Sequence, residues 1–382
     1  MLTPRTTLTR RVLAALDAVP SRIPVLLGGC GSGRTTLAQQ LRERVGRPAT
    51  QYINVERTAT TPERFFRVLA ASSAFPISEQ APAGARAAFD ATLAFLTRAR
   101  TGGGEPATFV LDEFLELRTF ESFPGLRKVV REAIDGLAAS ANRFVLTSRY
   151  VARTLRLLRD VPARFEVIHM PPLATEETLD VLGLAGARDA HEAEFLARTV
   201  QALTDGRPAY VRAIADELTA TREHGGAGGS DPISALAALL GPEGRLARFC
   251  HYCYELRLHR ARGYGALKAI LEILAEEEGL TLTEISHRLQ RTPGSTKDYL
   301  SWLEDVDLVS ARQKRYSFAD PLLRVWVRLY CRVAAPNEDD LGREIHRYAL
   351  PRLPQQTEPA HAAQAEGQLA MAGSTSGLIE ID

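Results

Sequence analysis

Residues 28–36 read GGCGSGRTT, and Gly28, Gly33, Arg34 and Thr35 meet the pattern Gly-x-x-x-x-Gly-[Lys/Arg]-[Ser/Thr]. Glycines let successive backbone N–H groups curl round an anion with no side chain in the way. A helix starting near Thr35 would point its positive end at the same anion. The loop residues Gly28, Gly29, Cys30, Gly31, Ser32, Gly33, Arg34, Thr35 and Thr36 are therefore candidates to hold the phosphates of a nucleotide. In that role the Thr35 hydroxyl ligates Mg²⁺ and the Arg34 cation reaches the β/γ-phosphates. The alternative is a glycine-rich turn with no ligand.

Two further groups could work with such a loop. TFVLDE delivers Asp112 and Glu113 to the end of an apolar run, where adjacent carboxylates are costly to bury without a cation. Asp112 could hold Mg²⁺ through water, and Glu113 could orient or deprotonate an attacking water. Alone, the pair reads equally as solvated loop acids. RFVLTSRY places Thr147, Ser148 and Arg149 at the end of another apolar run, where Arg149 could sense a γ-phosphate. The plainer reading there is a helix cap followed by a surface arginine.

These groups need a scaffold that brings strand ends together. Short apolar runs at 22–29, 51–56, 107–113, 143–149 and 164–170 predict five strands. Helical spacing separates them, at about 35–45, 61–73, 86–100 and 124–141, with Thr61 and Pro62 opening the second of these. The order predicts an α/β fold with a parallel sheet covered on both faces. Ligands bind along one edge of such sheets, at the strand ends. From 174 to 222 the pattern is helical only, 225–232 reads as a linker, and a further helical stretch covers 233–260.

Together GGCGSGRT, FVLDE and FVLTSR resemble the Walker A, Walker B and sensor-1 segments of P-loop ATPases. The strand-final TSR and the segment TDGRPAYVRAI (204–214) resemble the STAND branch and similar archaeal-type, AAA+-related ATPases. That family carries a Gly-x-Pro motif in an all-α lid, matched by Gly206, Arg207 and Pro208, and a winged helix after the lid. The likeness spans about 22–335. It implies a P-loop ATPase core over 1–173, a helical lid and connector over 174–260, and a winged-helix domain over 261–335. It implies ATP and Mg²⁺ as cofactors, and Arg207 and Pro208 as nucleotide-binding residues. Glu113, Arg34 and Arg149 would then be the catalytic set of a hydrolase. Arg34 departs from the lysine usual in the loop, and a planar fork does not replace a compact ammonium conservatively. Weaker stabilisation of the transition state there would cost about 3 kcal/mol, roughly a hundredfold in rate. An oligomeric ATPase would also need an arginine finger, and Arg153, Arg159 and Arg164 follow the sensor strand.

Three helices are expected over 266–277, 281–289 and 295–306, the last capped by Ser295 with Asp298 after a break at Pro293 and Gly294. Two short strands round a Gln-Lys turn (308–320) and an amphipathic helix (321–333) follow. The order resembles a winged helix-turn-helix. Arg288, Arg291, Arg312, Lys314 and Arg315 could meet DNA phosphates. Against that, the third helix sets Lys297 against Asp298, Glu304 and Asp305, a poor fit to a major groove. A protein client, or a homo-oligomer contact, is the alternative partner.

The 382 residues carry a formal charge of +1, so any polyanionic partner must be met by a local patch. Four cysteines fit a reducing cytosol, and a cytoplasmic location with no membrane partner is expected. The N-terminus reads as an amphipathic helix. CHYC (250–253) lacks a second pair at zinc spacing and reads as a buried helix face. Cys30, near backbone N–H groups and Arg34, is expected to have a low pKa and to be oxidisable. The tail, 336–382, is expected to be mostly disordered.

Overall fold

The computed structural model describes residues 5–77, 82–161, 164–223, 231–261, 263–332 and 334–354. Five strands form one sheet: β1 (Ile23–Leu27), β2 (Thr50–Asn54), β3 (Thr108–Asp112), β4 (Arg143–Ser148) and β5 (Phe165–His169). Their order is β2-β3-β4-β1-β5 and every pairing is parallel. All five match the expected runs to within two residues. The register pairs Leu27 with Ser148 and Asn54 with Asp112, so the polar strand ends share one edge.

Both sheet faces are covered, as continuous apolar strands require. Leu26, Val110 and Val145 face the helices Thr6–Asp17 and Arg34–Val45. Phe109, Leu111 and Phe144 face the helices Pro62–Ala71, Ala85–Arg98 and Val129–Ala139. The last of these starts later than the expected residue 124, after a 3₁₀ segment at Phe114–Ser122 and a turn-rich stretch at 123–128. Thr61 caps as expected, its hydroxyl accepting from the Arg64 N–H at 3.2 Å with Pro62 in the first turn.

After the sheet come five helices: Thr175–Leu182, Ala190–Thr204, Pro208–Glu223, Pro232–Leu240 and Arg245–Arg260. We call the third the lid helix and the fifth the connector helix. The lid turn is tight. Gly206 has φ +60°, and a Cβ there would stand 2.8 Å from the Pro172 Cβ and 3.1 Å from the Leu173 backbone.

The C-terminal module contains the helices Tyr264–Glu276, Leu282–Leu289 and Pro293–Asp305, then a hairpin of β7 (Val309–Arg312) and β8 (Arg315–Phe318). A short strand, β6 (Leu280–Thr281), adds antiparallel to β8 and was not anticipated. The expected Gln-Lys turn is present, with Gln313 and Lys314 both at positive φ. The cap of Pro293–Asp305 differs from the expectation. Thr292, not Ser295, is the capping residue, accepting from the Ser295 N–H at 3.4 Å. Pro293 does not break the helix, because a missing N–H costs nothing in a first turn.

Part of 336–382 also corrects the expectation. Glu338–Ala349 is a helix, and its buried Ile345 and Ala349 pack with the lid helices and Pro321–Tyr330. Asn337 caps it, and Arg328 pairs with Glu344 at 2.6 Å. The rest of the tail from 355, the linker at 225–230 and loop residues 78–81 lie outside the described residues. Among the described residues no helix is long and apolar enough to cross a membrane.

Phe109 is the centre of the sheet's aromatic face. It stacks on Phe144 at 5.9 Å and meets Phe75 and Phe95 edge-on at 5.3 and 5.6 Å. Phe109→Ala is expected to cost about 3–5 kcal/mol in urea unfolding. Truncation to alanine at half-exposed Leu155, which is 40% exposed, should cost well under half of that.

Candidate functional site

The loop Gly28–Gly33 leaves β1 and enters the helix Arg34–Val45. Gly31 and Gly33 sit at φ +78° and +84°, a region that other residues reach only with strain. A Cβ on Gly28 would stand 2.8 Å from the Ser32 Oγ and 3.0 Å from the Met170 Cβ. Gly33 is the N-cap and offers no side chain to the first turn. No side chain caps that end, and a helix start of this kind can offer its N–H groups to an anion.

The acids close the other side. Asp112 is 1% exposed. Its Oδ2 accepts from the Thr35 hydroxyl at 2.9 Å and the Tyr52 hydroxyl at 2.6 Å, and its Oδ1 accepts from Thr147 at 2.5 Å. The Thr35 hydroxyl and the Asp112 carboxylate are thus adjacent hard oxygen groups, of the kind that could ligate Mg²⁺. Burial, and then the bond to Asp112, push the Tyr52 pKa up, so Tyr52 stays a donor.

Glu113 lies at φ +58° immediately after β3. Its Oε1 accepts from Arg34 Nη2 at 2.6 Å, and its Oε2 accepts from the Arg149 N–H at 3.0 Å with Arg149 Nε at 3.2 Å. Arg149 also pairs closely with Glu56. Burial works to raise the Glu113 pKa, but Arg34 and Arg149 outweigh it and hold the carboxyl below the usual range. Arg34 spans three partners at once: Glu113, the Gly29 carbonyl at 2.7 Å and the Ser32 hydroxyl at 3.2 Å.

The lid touches the loop directly. The Ala209 N–H donates to the Gly31 carbonyl at 3.1 Å, and Pro208 approaches Gly33. Arg207 Nη1 donates to the Cys30 carbonyl at 3.4 Å and to Asp320 at 2.8 Å. Asp320 caps the helix Pro321–Tyr330 and accepts from the Tyr210 hydroxyl at 2.6 Å. A small cavity of about 50 Å³ lies between Thr36, Leu37 and Gln40 on the loop helix and Leu173, Val181 and Pro208 on the lid side.

That arrangement matches known architecture. A Walker-type ATPase of Pyrococcus abyssi superimposes with a TM-score of 0.60 at 17% identity, covering 85% of this chain and 95% of its own. The fold is that of a P-loop ATPase. The Orc1 protein of Aeropyrum pernix, solved in complex with DNA, gives a TM-score of 0.45 at 16% identity, covering 93% and 95%. No protein-family model matches the sequence, and no curated protein matches it.

The structure thus brings together Gly28–Thr36, Asp112, Glu113, Arg149, Arg207 and Pro208. Arg149 is buried and paired, not a surface arginine. Of the finger candidates, Arg164 is committed elsewhere: it donates to the carbonyls of Leu137, Ala138 and Asn142 and so holds a helix end. Among the described residues, neither Arg153 nor Arg159 bonds to Asp112 or Glu113. Cys30 is buried beside Cys253, whose thiol, with Arg257, Arg149 and Arg34, holds the Cys30 pKa well down against burial. Cys250, Cys253 and Tyr254 do form a buried face. Tyr52, Glu56 and Asp320 were missed, since each lies far in sequence from the group that it serves.

Glu113 carries a pH signature. Its lowered pKa adds stability that is present above the ordinary glutamate value, about 4.3, and lost as pH falls through the lower folded value. Glu113→Gln leaves two buried arginines short of a partner and should cost about 3–5 kcal/mol near neutral pH. Denaturant unfolding across pH should show this gap shrinking below about 4.3. A gap independent of pH would contradict the assignment.

Proposed function

We propose that this protein is an ATP-binding molecular switch that hydrolyses ATP, with Arg34 in place of the usual loop lysine. The observation that carries the reading is the Arg34–Glu113 pair, which joins the loop to the acid best placed to activate water. In the bound state the Gly28–Thr36 backbone would hold the phosphates. Thr35 and Asp112 would hold Mg²⁺, which neutralises charge on the phosphates when bound. Phosphate oxygens compete with Glu113 for the Arg34 fork. Once Arg34 turns to phosphate, Glu113 keeps Arg149 and gains a free oxygen for water. Glu113 takes a proton from that water as it attacks the γ-phosphorus, and ADP leaves with the β–γ bond electrons.

Nucleoside binding would require movement of the lid. The cavity between Leu37 and Pro208 is narrow, and a shift of the lid helix would widen it for a base. Arg207 would carry that shift to Asp320 and the C-terminal module, which we read as a winged helix-turn-helix. The exposed hairpin residues Arg312, Lys314 and Arg315 are the surface with which it would meet DNA phosphates. The C-terminal end of the third helix, by contrast, faces the ATPase core, where Asp305 pairs with Arg156.

A second reading, a nucleotide-held scaffold without turnover, is favoured by one feature. Glu113 is engaged by two arginines, and an Arg34 that never lets go leaves no base. Phosphate release with Mg·ATP, beside ATP and ADP affinities, separates the two. The switch predicts wild-type turnover, and a drop of about 10²–10⁴-fold in Glu113→Gln with binding retained. Tight binding without turnover, restored by Arg34→Lys, would establish the scaffold. Binding of neither nucleotide would overturn both.

A further inference from the structure

The side chains of Cys30, in the phosphate loop, and Cys253, in the connector helix, have no task in the reaction above. Both are free thiols and both are buried, at 9% and 4% exposed. The connector helix sets them against each other. Its residues 249, 253 and 257 are spaced by four and so lie along one face. Toward one end of that face the Phe249 ring stands 3.7 Å from where a Cβ on Gly31 would be. Toward the other end Arg257 Nη2 stands 3.9 Å from the same point on Gly29, behind Arg207 Nη1 at 3.3 Å. Cys253 is midway along the face and Cys30 is midway between those glycines, and the two thiols meet within hydrogen-bond reach. Cys250 lies instead by Tyr210 and Asp320, and Cys331 by Tyr254.

The surroundings give the two sulfurs different parts. The Cys253 thiol, then Arg257, Arg149 and Arg34, hold the Cys30 pKa well down against its burial. The bond to Cys30, with burial, pushes the Cys253 pKa up. Burial works to lower the Arg257 pKa, and Cys30 and Cys253 lead the groups that outweigh it, so the cation stays beside the pair. One sulfur is set to attack and the other keeps a proton to give up later. We propose that Cys30 and Cys253 form a reversible disulfide when the protein meets a peroxide, and that this bond, resting on the nucleotide reading above, closes the loop to nucleotide.

Cys30 is the more open of the two, and the half-buried Gly29 and Gly31 on either side have no side chains to shield it. Its thiolate attacks one peroxide oxygen. An S–O bond forms, the O–O bond breaks, and hydroxide leaves with the electron pair. The Cys253 sulfur then attacks the Cys30 sulfur. The S–S bond forms, the S–O bond breaks, and the departing oxygen takes the Cys253 proton and leaves as water. Each sulfur has lost one electron, and the peroxide oxygens have gained both. A dithiol reverses the reaction. The bond fastens the connector helix to the loop. Phe249 on that helix meets Tyr210 of the lid helix edge-on at 5.8 Å, so the lid is pinned with it. Entry of a nucleoside needs that lid to move.

The test treats the intact wild-type chain with hydrogen peroxide, alkylates the thiols left free and maps the tryptic peptides by mass. A link between peptides 23–34 and 249–257 is expected, and dithiothreitol should remove it. Cys250 and Cys253 share the second peptide, so two variants assign the partner. The link should persist in Cys250→Ser and vanish in Cys253→Ser, where dimedone should instead label Cys30 as its sulfenic acid. ATP affinity is read beside the map by calorimetry with Mg²⁺. Oxidation should weaken it by about tenfold or more in the wild type, since few locked molecules can bind, and dithiothreitol should restore it. Cys30 left free for alkylation after peroxide, or linked to Cys250 or Cys331, would overturn the proposal. So would a linked protein that binds ATP as tightly as the reduced one. Reduced wild type that binds neither ATP nor ADP would remove the nucleotide reading, and the peptide map would still decide the disulfide. Should a variant fail to fold, fragmentation of the linked wild-type peptides places the bond at Cys250 or Cys253.

Discussion

The loop region depends on one constraint: charge taken out of water must find charge. Arg34, Asp112, Glu113, Arg149 and Arg257 are all nearly inaccessible, gathered round a glycine loop with few side chains to shield them. An isolated ion there would cost several kcal/mol. The chain answers with shared partners. Glu113 serves two arginines, Arg34 serves Glu113 and two loop oxygens, and Asp112 takes three hydroxyls. The scaffold follows from that need. A parallel sheet places the ends of β1, β3 and β4 side by side, so groups from residues 28–36, 112–113 and 147–149 meet without long loops.

The same constraint ties the three parts of the chain together. Asp320 would be a buried carboxylate without an ion pair if Arg207 were absent, and Arg207 reaches it only because the lid turn is tight enough to need Gly206. Asp307 lies deep as well, and burial pushes its pKa up to about 6 although Arg257 and two N–H groups oppose this. These contacts are polar and buried, and so they are demanding in geometry. Movement of the lid or of the C-terminal module exposes or strands a charge. Interfaces of that kind have few intermediate positions, which suits a two-state element better than a flexible hinge.

What was legible in the sequence was local. The glycines of 28–33 mark a loop, and the end of β1, because glycine takes those angles without strain, and apolar runs ending in polar residues mark β3 and β4. Thr61 with Pro62 was legible for the same reason: a cap and its helix adjoin. Thr292 was misread because Pro293 can either end a helix or begin one, and local sequence does not choose. The helix at 338–349 was hidden because its charges dominate its composition, while only Ile345 and Ala349 are buried in it. Tyr52, Asp320 and Arg257 were invisible because their partners lie 60, 113 and 50 residues away. Pairing across such distances is fixed by topology, not by spacing.

Arginine at position 34 is then better understood as a coupling device than as a weakened lysine. An ammonium is one point charge with rotating donors, and it can leave a carboxylate for a phosphate with little consequence for either neighbour. The guanidinium holds the Gly29 carbonyl and Glu113 from different nitrogens, in a geometry fixed by its plane. A phosphate that claims one nitrogen turns the plane and disturbs both bonds. Under the proposed function, loading the loop and releasing the acid become a single event, because one rigid fork cannot satisfy the phosphate and the resting pair together. The drawback is a slower exchange at the site. The gain is that Glu113 stays engaged, and water stays unactivated, until an anion is in place.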